Sequence, residues 1–273
     1  MIVKRLNIMS GDLNIVVCIK QVPETTEVNF DEETGRLIRE GVAAIINPFD
    51  EYAIEEGVSI KEKHGGKVKV LTMGPPWAAD ALKDAIAVGA DEAYLATDRA
   101  FAGADTWATS LTLAKAIEKM GGHDIIICGL KTTDGDTGQT GPELAEHMGI
   151  PHVCYVSEID EIGDGKVVLK RNLDNGIETL ESPLPLVITV SKDINQPRLA
   201  TLRGKLKAKK APITEITNAE LGIPVEEIGL DGSYTRVVKV FEPENTAAGE
   251  VVSGSPDELV EAIFKKLQEC KVI

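Results

Sequence analysis

Asp124-Ile-Ile-Ile-Cys-Gly-Leu-Lys-Thr-Thr-Asp-Gly-Asp-Thr-Gly-Gln-Thr-Gly-Pro142 is the stretch on which the fold turns. Ile125 to Cys128 form an apolar run bounded by Gly129, the pattern of a strand buried on both faces. Pro142 opens a short helix, Glu143 to Met148, that Gly149 stops. Between strand and helix lies a glycine-rich loop. Gly135, Gly138 and Gly141 recur every third residue, so backbone can approach a ligand closely. Thr132, Thr133, Thr137, Gln139 and Thr140 supply donors and acceptors, and the following helix aims free N–H groups at the same place, which favours a phosphate. Two readings stay open at this point: a bound nucleotide, or a solvated loop of ordinary turn residues. The spacing is neither the Gly-x-Gly-x-x-Gly dinucleotide fingerprint nor a phosphate loop with Gly-Lys-Ser/Thr. Asp134 and Asp136 suit ribose hydroxyls or an adenine amine better than a naked triphosphate.

Working outward, the strand has companions. Asn14 to Lys20 is a β-branched run, Lys67 to Gly74 a second and Ala93 to Ala96 a third; Val153 to Val156 follows the strand at Ile125 as the fifth. Helices alternate with them: Glu51 to Lys63, capped by Asn47 or Asp50, then Ala78 to Val88 and Asp105 to Met120. Gln21 to Thr26 reads as a loop and Asp31 to Arg36 as a turn. Strands alternating with helices predict a doubly wound α/β domain with a mainly parallel sheet and right-handed crossovers. The expected strand order is 3-2-1-4-5. The order then reverses between the first and fourth strands, where the loops Cys18 to Thr26 and Gly129 to Thr140 face each other across a ligand crevice.

Past this frame, Lys166 to Leu173 and Gly176 to Glu181 alternate as a hairpin, and Leu184 to Val190 reads as another buried strand. Arg198 to Lys210 is basic, and an extended arm through Pro212, Pro224 and Pro243 has the composition of a segment that wraps a partner. Ser255-Pro-Asp-Glu258 is the signature of a helix start, with the helix running to Gln268.

The 273 residues carry a net charge of −15, which argues against general binding to nucleic acid or an anionic membrane surface. Cys18, Cys128, Cys154 and Cys270 have no Cys-x-x-Cys spacing, so a reducing cytoplasm is expected and no metal site. His64, His123, His147 and His152 are scattered at element ends without triad or metal spacing. Residues 1–13 read as a short extension that lacks the apolar core of a signal peptide, and no apolar stretch is long enough to span a membrane.

Seven ordered motifs together carry a resemblance. They are Val17-Cys-Ile-Lys-Gln-Val-Pro23, Ile46-Asn-Pro-Phe-Asp50, Thr72-Met-Gly-Pro75, Val88-Gly-Ala-Asp91, Asp134-Gly-Asp-Thr-Gly-Gln-Thr-Gly141, Asn195-Gln-Pro-Arg-Leu-Ala-Thr-Leu202 and Lys207-Ala-Lys-Lys210. From Asn14 onward the chain resembles the beta subunit of electron transfer flavoprotein, the FixA-like family, in its electron-bifurcating group. The resemblance implies an adenine-nucleotide α-hydrolase-like fold over 14–192. Residues 193–273 then supply a recognition loop and a C-terminal arm that wraps the alpha subunit. The implied cofactor site comprises Cys18, Asn47, Pro48, Phe49, Asp50, Met73, Gly129, Leu130, Lys131, Thr132, Thr133, Asp134, Gly135, Asp136, Thr137, Gly138, Gln139 and Thr140.

In bifurcating members of the family a second FAD fills that site, whereas housekeeping members hold AMP there. By the resemblance, Val22-Pro-Glu-Thr25 stands where AMP-only members place bulkier side chains and Gly135-Asp-Thr-Gly138 where they have a more acidic loop; both leave room for a ribityl chain and isoalloxazine, which favours FAD. Many bifurcating members have Gln-Ala-Ile where this chain has Lys131-Thr-Thr133. NADH is the implied hydride donor, with no catalytic side chain required. One electron would go to ferredoxin or flavodoxin, and the other through the alpha-subunit FAD to an acyl-CoA or lactate type dehydrogenase or a quinone oxidoreductase. Lys20 and Lys131 are candidate neighbours for phosphate or reduced flavin, or solvent-facing strand-end lysines. Leu202 is the implied apolar anchor for docking the dehydrogenase, with Lys207, Lys209 and Lys210 beside it; the alternative is a solvated basic face. An AMP-holding carrier is the competing function, and an ATP-pyrophosphatase or stress-protein-like ATP binder is disfavoured because the first loop lacks a Ser-Gly-Gly-x-Asp-Ser sequence.

Overall fold

A computed structural model describes residues 12–24, 43–238, 249 and 251–273. Most of the expected N-terminal extension, the expected turn at Asp31 to Arg36, Thr25 and Pro243 lie outside the described residues. Two compact units make up the chain, one reaching Arg236 and the other running from Val237 to Ile273.

In the first unit β1 (Asn14–Cys18), β2 (Gln21–Pro23) and β3 (Ala44–Ile46) precede α1 (Pro48–His64) and β4 (Lys67–Met73). Next come α2 (Ala79–Val88), β5 (Glu92–Ala96), α3 (Thr106–Lys119), β6 (Ile125–Gly129) and α4 (Thr140–Met148). The chain continues through β7 (His152–Gly163), β8 (Lys166–Leu173), β9 (Gly176–Pro183), β10 (Leu186–Val190), α5 (Leu202–Ala208), β11 (Ile213–Ile216) and α6 (Asn218–Leu221). Nine of the strands form one sheet in the order β11-β5-β4-β1-β6-β10-β7-β8-β9, parallel except where β8 pairs with β7 and with β9.

Alternating strand residues feed two cores. Ile15, Val17, Val68, Val70, Ile125, Ile127 and Ile188 pack on one face with Ile54, Val58, Leu82 and Ile86 of α1 and α2. Val16, Leu71, Ile126 and Val187 pack on the other with Leu113, Ile117, Leu144 and Ala145 of α3 and α4. Burying each large aliphatic chain contributes about 1.5–3 kcal/mol, so β1 and β6, covered on both faces, anchor the sheet.

Several expectations need correction. The order 3-2-1-4 is as the sequence predicts, but β10 inserts between the fourth and fifth strands, hydrogen-bonded to β6 on one side and β7 on the other. Every residue of β10 is buried, which suits a central place, whereas β7 alternates between buried and exposed and runs out into the antiparallel extension. Gln21–Pro23 is not loop but pairs antiparallel with Ala44–Ile46. Helix α1 starts at Pro48, because proline's fixed φ and missing N–H suit a first turn. Helix α4 likewise starts at Thr140, where the Glu143 amide already donates to the Gln139 carbonyl at 3.0 Å. Residues 213–216, expected within an extended arm, add an edge strand parallel to β5, and Ile216, Ile223 and Ile228 are buried.

The second unit contains α7 (Pro256–Glu269), which begins with the expected reciprocal cap: Glu258 accepts from the Ser255 amide and hydroxyl, both at 2.8 Å. Among the described residues no helix is long and apolar enough to cross a membrane.

Candidate functional site

Strand order reverses between β1 and β6: β1 bonds β4 on one side and β6 on the other, with Cys18 opposite both Leu71 and Cys128. Chains leaving the two strands at their C-terminal ends therefore diverge and open a crevice. Its walls are tied together by the turn into α1. The Asn47 amide donates to the Lys20 carbonyl at 2.9 Å, and the Lys20 amide donates to Asp50 Oδ2 at 2.7 Å. Asn47 is 0% exposed, and its side chain reaches across to the glycine-rich loop rather than capping its own helix. Nδ2 donates to the Lys131 carbonyl at 2.9 Å, and Oδ1 accepts from the Thr133 amide at 3.1 Å.

Gly129 is where β6 meets this brace. A Cβ there would collide with Asp50 Oδ1 and lie 2.8 Å from the Phe49 carbonyl carbon, so the close approach requires glycine. Asp50 is 4% exposed, and burial pushes its carboxyl up to about 7 despite hydrogen bonds from the Asn47 side chain and the Lys20 and Gly129 amides. Beneath it, the Cys18 thiol and burial both push the Cys128 thiol up, which keeps Cys128 a small core group. Gly141 performs a second close approach, because a Cβ would meet Thr189 Cγ2 and lift α4 off β10.

Beyond Gly129 the loop rises into solvent. Leu130 is pinned by its amide to the Val190 carbonyl at 3.1 Å, and the Asp136 amide closes a turn on the Thr132 carbonyl at 2.8 Å. Asp136 takes a left-handed φ of 52° and Gly138 one of 66°. Thr133, Asp134, Gly135, Asp136, Thr137 and Gln139 are exposed. Neither acidic side chain is free: Lys20 Nζ bridges to Asp134 at 2.7 Å and Lys131 Nζ to Asp136 at 2.7 Å. Partial burial raises the Asp134 carboxyl, but the Lys20 ammonium, with hydrogen bonds from Thr132 and the backbone, holds the group below its ordinary value.

The structure thus brings together Cys18, Asn47, Phe49, Asp50 and Gly129 to Thr140, with Pro48 exposed on the outer side of the turn. Met73 sits half-buried at the end of β4, opposite Ala96 and on the far side of β1 from the loop. Of the expected docking residues, Leu202 and Lys207 lie on α5, and Lys209 and Lys210 follow its end. Leu202 is 77% exposed and Lys209 and Lys210 are exposed, but Lys207 Nζ donates to the Ala90 carbonyl at 3.1 Å. Lys207 therefore joins α5 to the end of α2 and is not a free docking charge.

Arg198, which the sequence marks as the start of the basic segment and part of a family motif, has ion pairs that the sequence did not reveal. Its guanidinium reaches Glu55 Oε2 at 2.7 Å and Glu62 Oε1 at 2.6 Å, while Asn195 Nδ2 donates to Glu56 Oε2 and the Tyr52 carbonyl, both at 3.0 Å. The seven-residue spacing of Glu55 and Glu62, two turns apart on one helical face, was the available signal.

Comparison with known proteins agrees with this architecture. Residues 34–221 match the family described as Electron transfer flavoprotein domain. The chain is 47% identical over 262 residues to the electron transfer flavoprotein subunit beta of Thermoanaerobacterium thermosaccharolyticum, covering 96% of this chain and 100% of the relative. It is 42% identical over 263 residues to the Caffeyl-CoA reductase-Etf complex subunit CarD of Acetobacterium woodii, covering 96% and 100%. It is 37% identical over 266 residues to Protein FixA of Azorhizobium caulinodans, covering 93% and 95%. This chain belongs to the electron transfer flavoprotein family, among its beta-subunit and FixA-like members.

Proposed function

We propose that this chain is the beta subunit of a heterodimeric electron transfer flavoprotein and holds FAD in the crevice between the ends of β1 and β6. The observation that carries the proposal is the bracing of the loop Gly129 to Thr140 by Asn47 at the point where strand order reverses. The residues fit an adenylate. Thr133, Thr137 and Gln139 are exposed, Lys20 and Lys131 supply ammonium groups, and α4 begins with no side-chain cap over its first N–H groups. The small residues Gly135-Asp-Thr-Gly138 support a whole dinucleotide over AMP.

FAD bound there would supply the redox chemistry, taking a hydride from NADH and parting with the electrons singly. The chain's residues bind and orient: Asn47 and Asp50 hold the loop against β1, and the two lysines place positive charge beside it. No side chain is assigned as nucleophile, acid or base. The proposed partners are the alpha subunit with its own FAD, ferredoxin or flavodoxin, and an acyl-CoA or lactate type dehydrogenase or quinone oxidoreductase, all meeting in the cytoplasm. The name of the CarD relative, a subunit of a reductase complex, supports such a partner. Segment 196–210 is proposed to dock it through Leu202, with Lys209 and Lys210 at the rim.

Flavin stoichiometry tests this reading. Absorbance of the purified heterodimer should report about two flavins per complex. About one flavin, with AMP released on denaturation, would instead make the chain an AMP-holding carrier.

A further inference from the structure

We propose that Lys20 and Asp134 form a latch across the crevice, and that an entering nucleotide phosphate opens it by drawing the Lys20 ammonium off the carboxylate. The inference rests on the reading of the crevice as an adenylate site. It adds that the site is held shut electrostatically until a phosphate arrives.

The two residues are 114 positions apart and come from opposite walls, so their contact spans the opening. Lys20 Nζ donates to both oxygens of Asp134, at 2.8 and 2.7 Å. The root of Lys20 is fixed, because its amide is held by Asp50 and its carbonyl by the Asn47 amide. Its tip is not: the Lys20 and Asp134 side chains are 46% and 34% exposed. A lysine with an anchored backbone and a solvated ammonium can swing between partners without moving a strand. The neighbouring cation differs in kind. Lys131 pairs with Asp136 inside the same loop, so its ion pair joins nothing across the crevice.

The energetics favour exchange. A half-exposed lysine–carboxylate pair favours its closed state only about 1.5- to 5-fold. A nucleotide phosphate, whether the AMP monoester or the FAD pyrophosphate, offers the ammonium up to two negative charges and several acceptor oxygens, and charge-assisted bonds of that kind are the stronger ones. The protein must still break its own pair before binding, which weakens the apparent affinity by the fraction of molecules with the latch closed. The latch discriminates by ligand class: a ligand with a phosphate opens it, whereas a nucleoside gains nothing from Lys20.

Calorimetry with AMP and with adenosine, on the full-length protein dialysed free of nucleotide, tests the latch in wild type, Asp134→Asn, Lys20→Met and the double variant. Asp134→Asn is expected to bind AMP about twofold to sixfold more tightly, with adenosine unchanged and the gain shrinking at high salt. Lys20→Met is expected to weaken AMP alone and to abolish the effect of Asp134→Asn in the double variant. Equal AMP affinity in wild type and Asp134→Asn, or a gain that survives Lys20→Met, overturns the latch and leaves the adenylate site standing. Failure of wild type and Asp134→Asn alike to bind either ligand overturns the adenylate site, and the latch with it.

Discussion

The Thr133 amide donates to the side-chain oxygen of Asn47 at 3.1 Å, across 86 positions of sequence. The same side chain donates to the Lys131 carbonyl, so one buried amide spends both ends on the loop that lines the crevice. Replacing Asn47 with alanine strands a carbonyl and an N–H, at a cost of about 2–4 kcal/mol. Chemical denaturation should show that loss, and hydrogen exchange should show faster exchange at Thr133.

Gly129 lies too close to Phe49 and Asp50 for any side chain. Gly129→Ala should push the α1 turn away from β6 and lower stability by about 1–3 kcal/mol. The melting temperature of the variant measures this directly. An unchanged value would mean that the two segments are farther apart than described.

Burial raises the Asp50 carboxyl from 3.8 to about 7. Between these values the folded chain binds more protons than the unfolded chain. The stability tied to this group is therefore fully present below about pH 4 and is lost as pH rises through 7, by about 4 kcal/mol at most. Asp50→Asn has no proton to lose there. The difference in unfolding free energy between variant and wild type should shift in favour of the variant as pH rises across that window.

Arg198 grips Glu55 and Glu62, and next to it Leu199 and Leu202 are exposed. If α5 docks a dehydrogenase as proposed, Leu202→Ala should raise KM for whichever dehydrogenase accepts its electrons, with little change in kcat. Arg198→Ala should do the same while also opening Arg203 and Lys205 to trypsin, which Leu202→Ala should leave protected. Arg198→Lys should not restore the wild-type pattern, because an ammonium cannot reproduce a fork held by two carboxylates.

Local chemistry made the strands around the crevice legible. Asn14–Cys18, Lys67–Met73 and Ile125–Gly129 are β-branched runs closed by turn residues, and the alternation with helices gave the reversal between β1 and β6. The position of β10 was less plain, since a strand's neighbours depend on where a long excursion returns. Its uniform burial next to the alternating pattern of β7 was the clue. Edge strand β11 has four residues beside Pro212 and little apolar pattern to reveal it. In the site, the glycine and threonine loop was visible, and Asn47 and Asp50 were picked out both as candidate helix caps and as members of the implied cofactor site. Their true contacts lie with Lys131, Thr133 and Lys20, and no local window contains both partners.

Photolabelling with 8-azido-AMP, followed by peptide mass spectrometry of the intact protein, addresses the crevice most directly. The label should fall on peptides carrying Asn47 to Asp50 or Gly129 to Thr140, and excess AMP should suppress it. Label confined to other peptides, or indifferent to AMP, would contradict an adenylate site between the ends of β1 and β6.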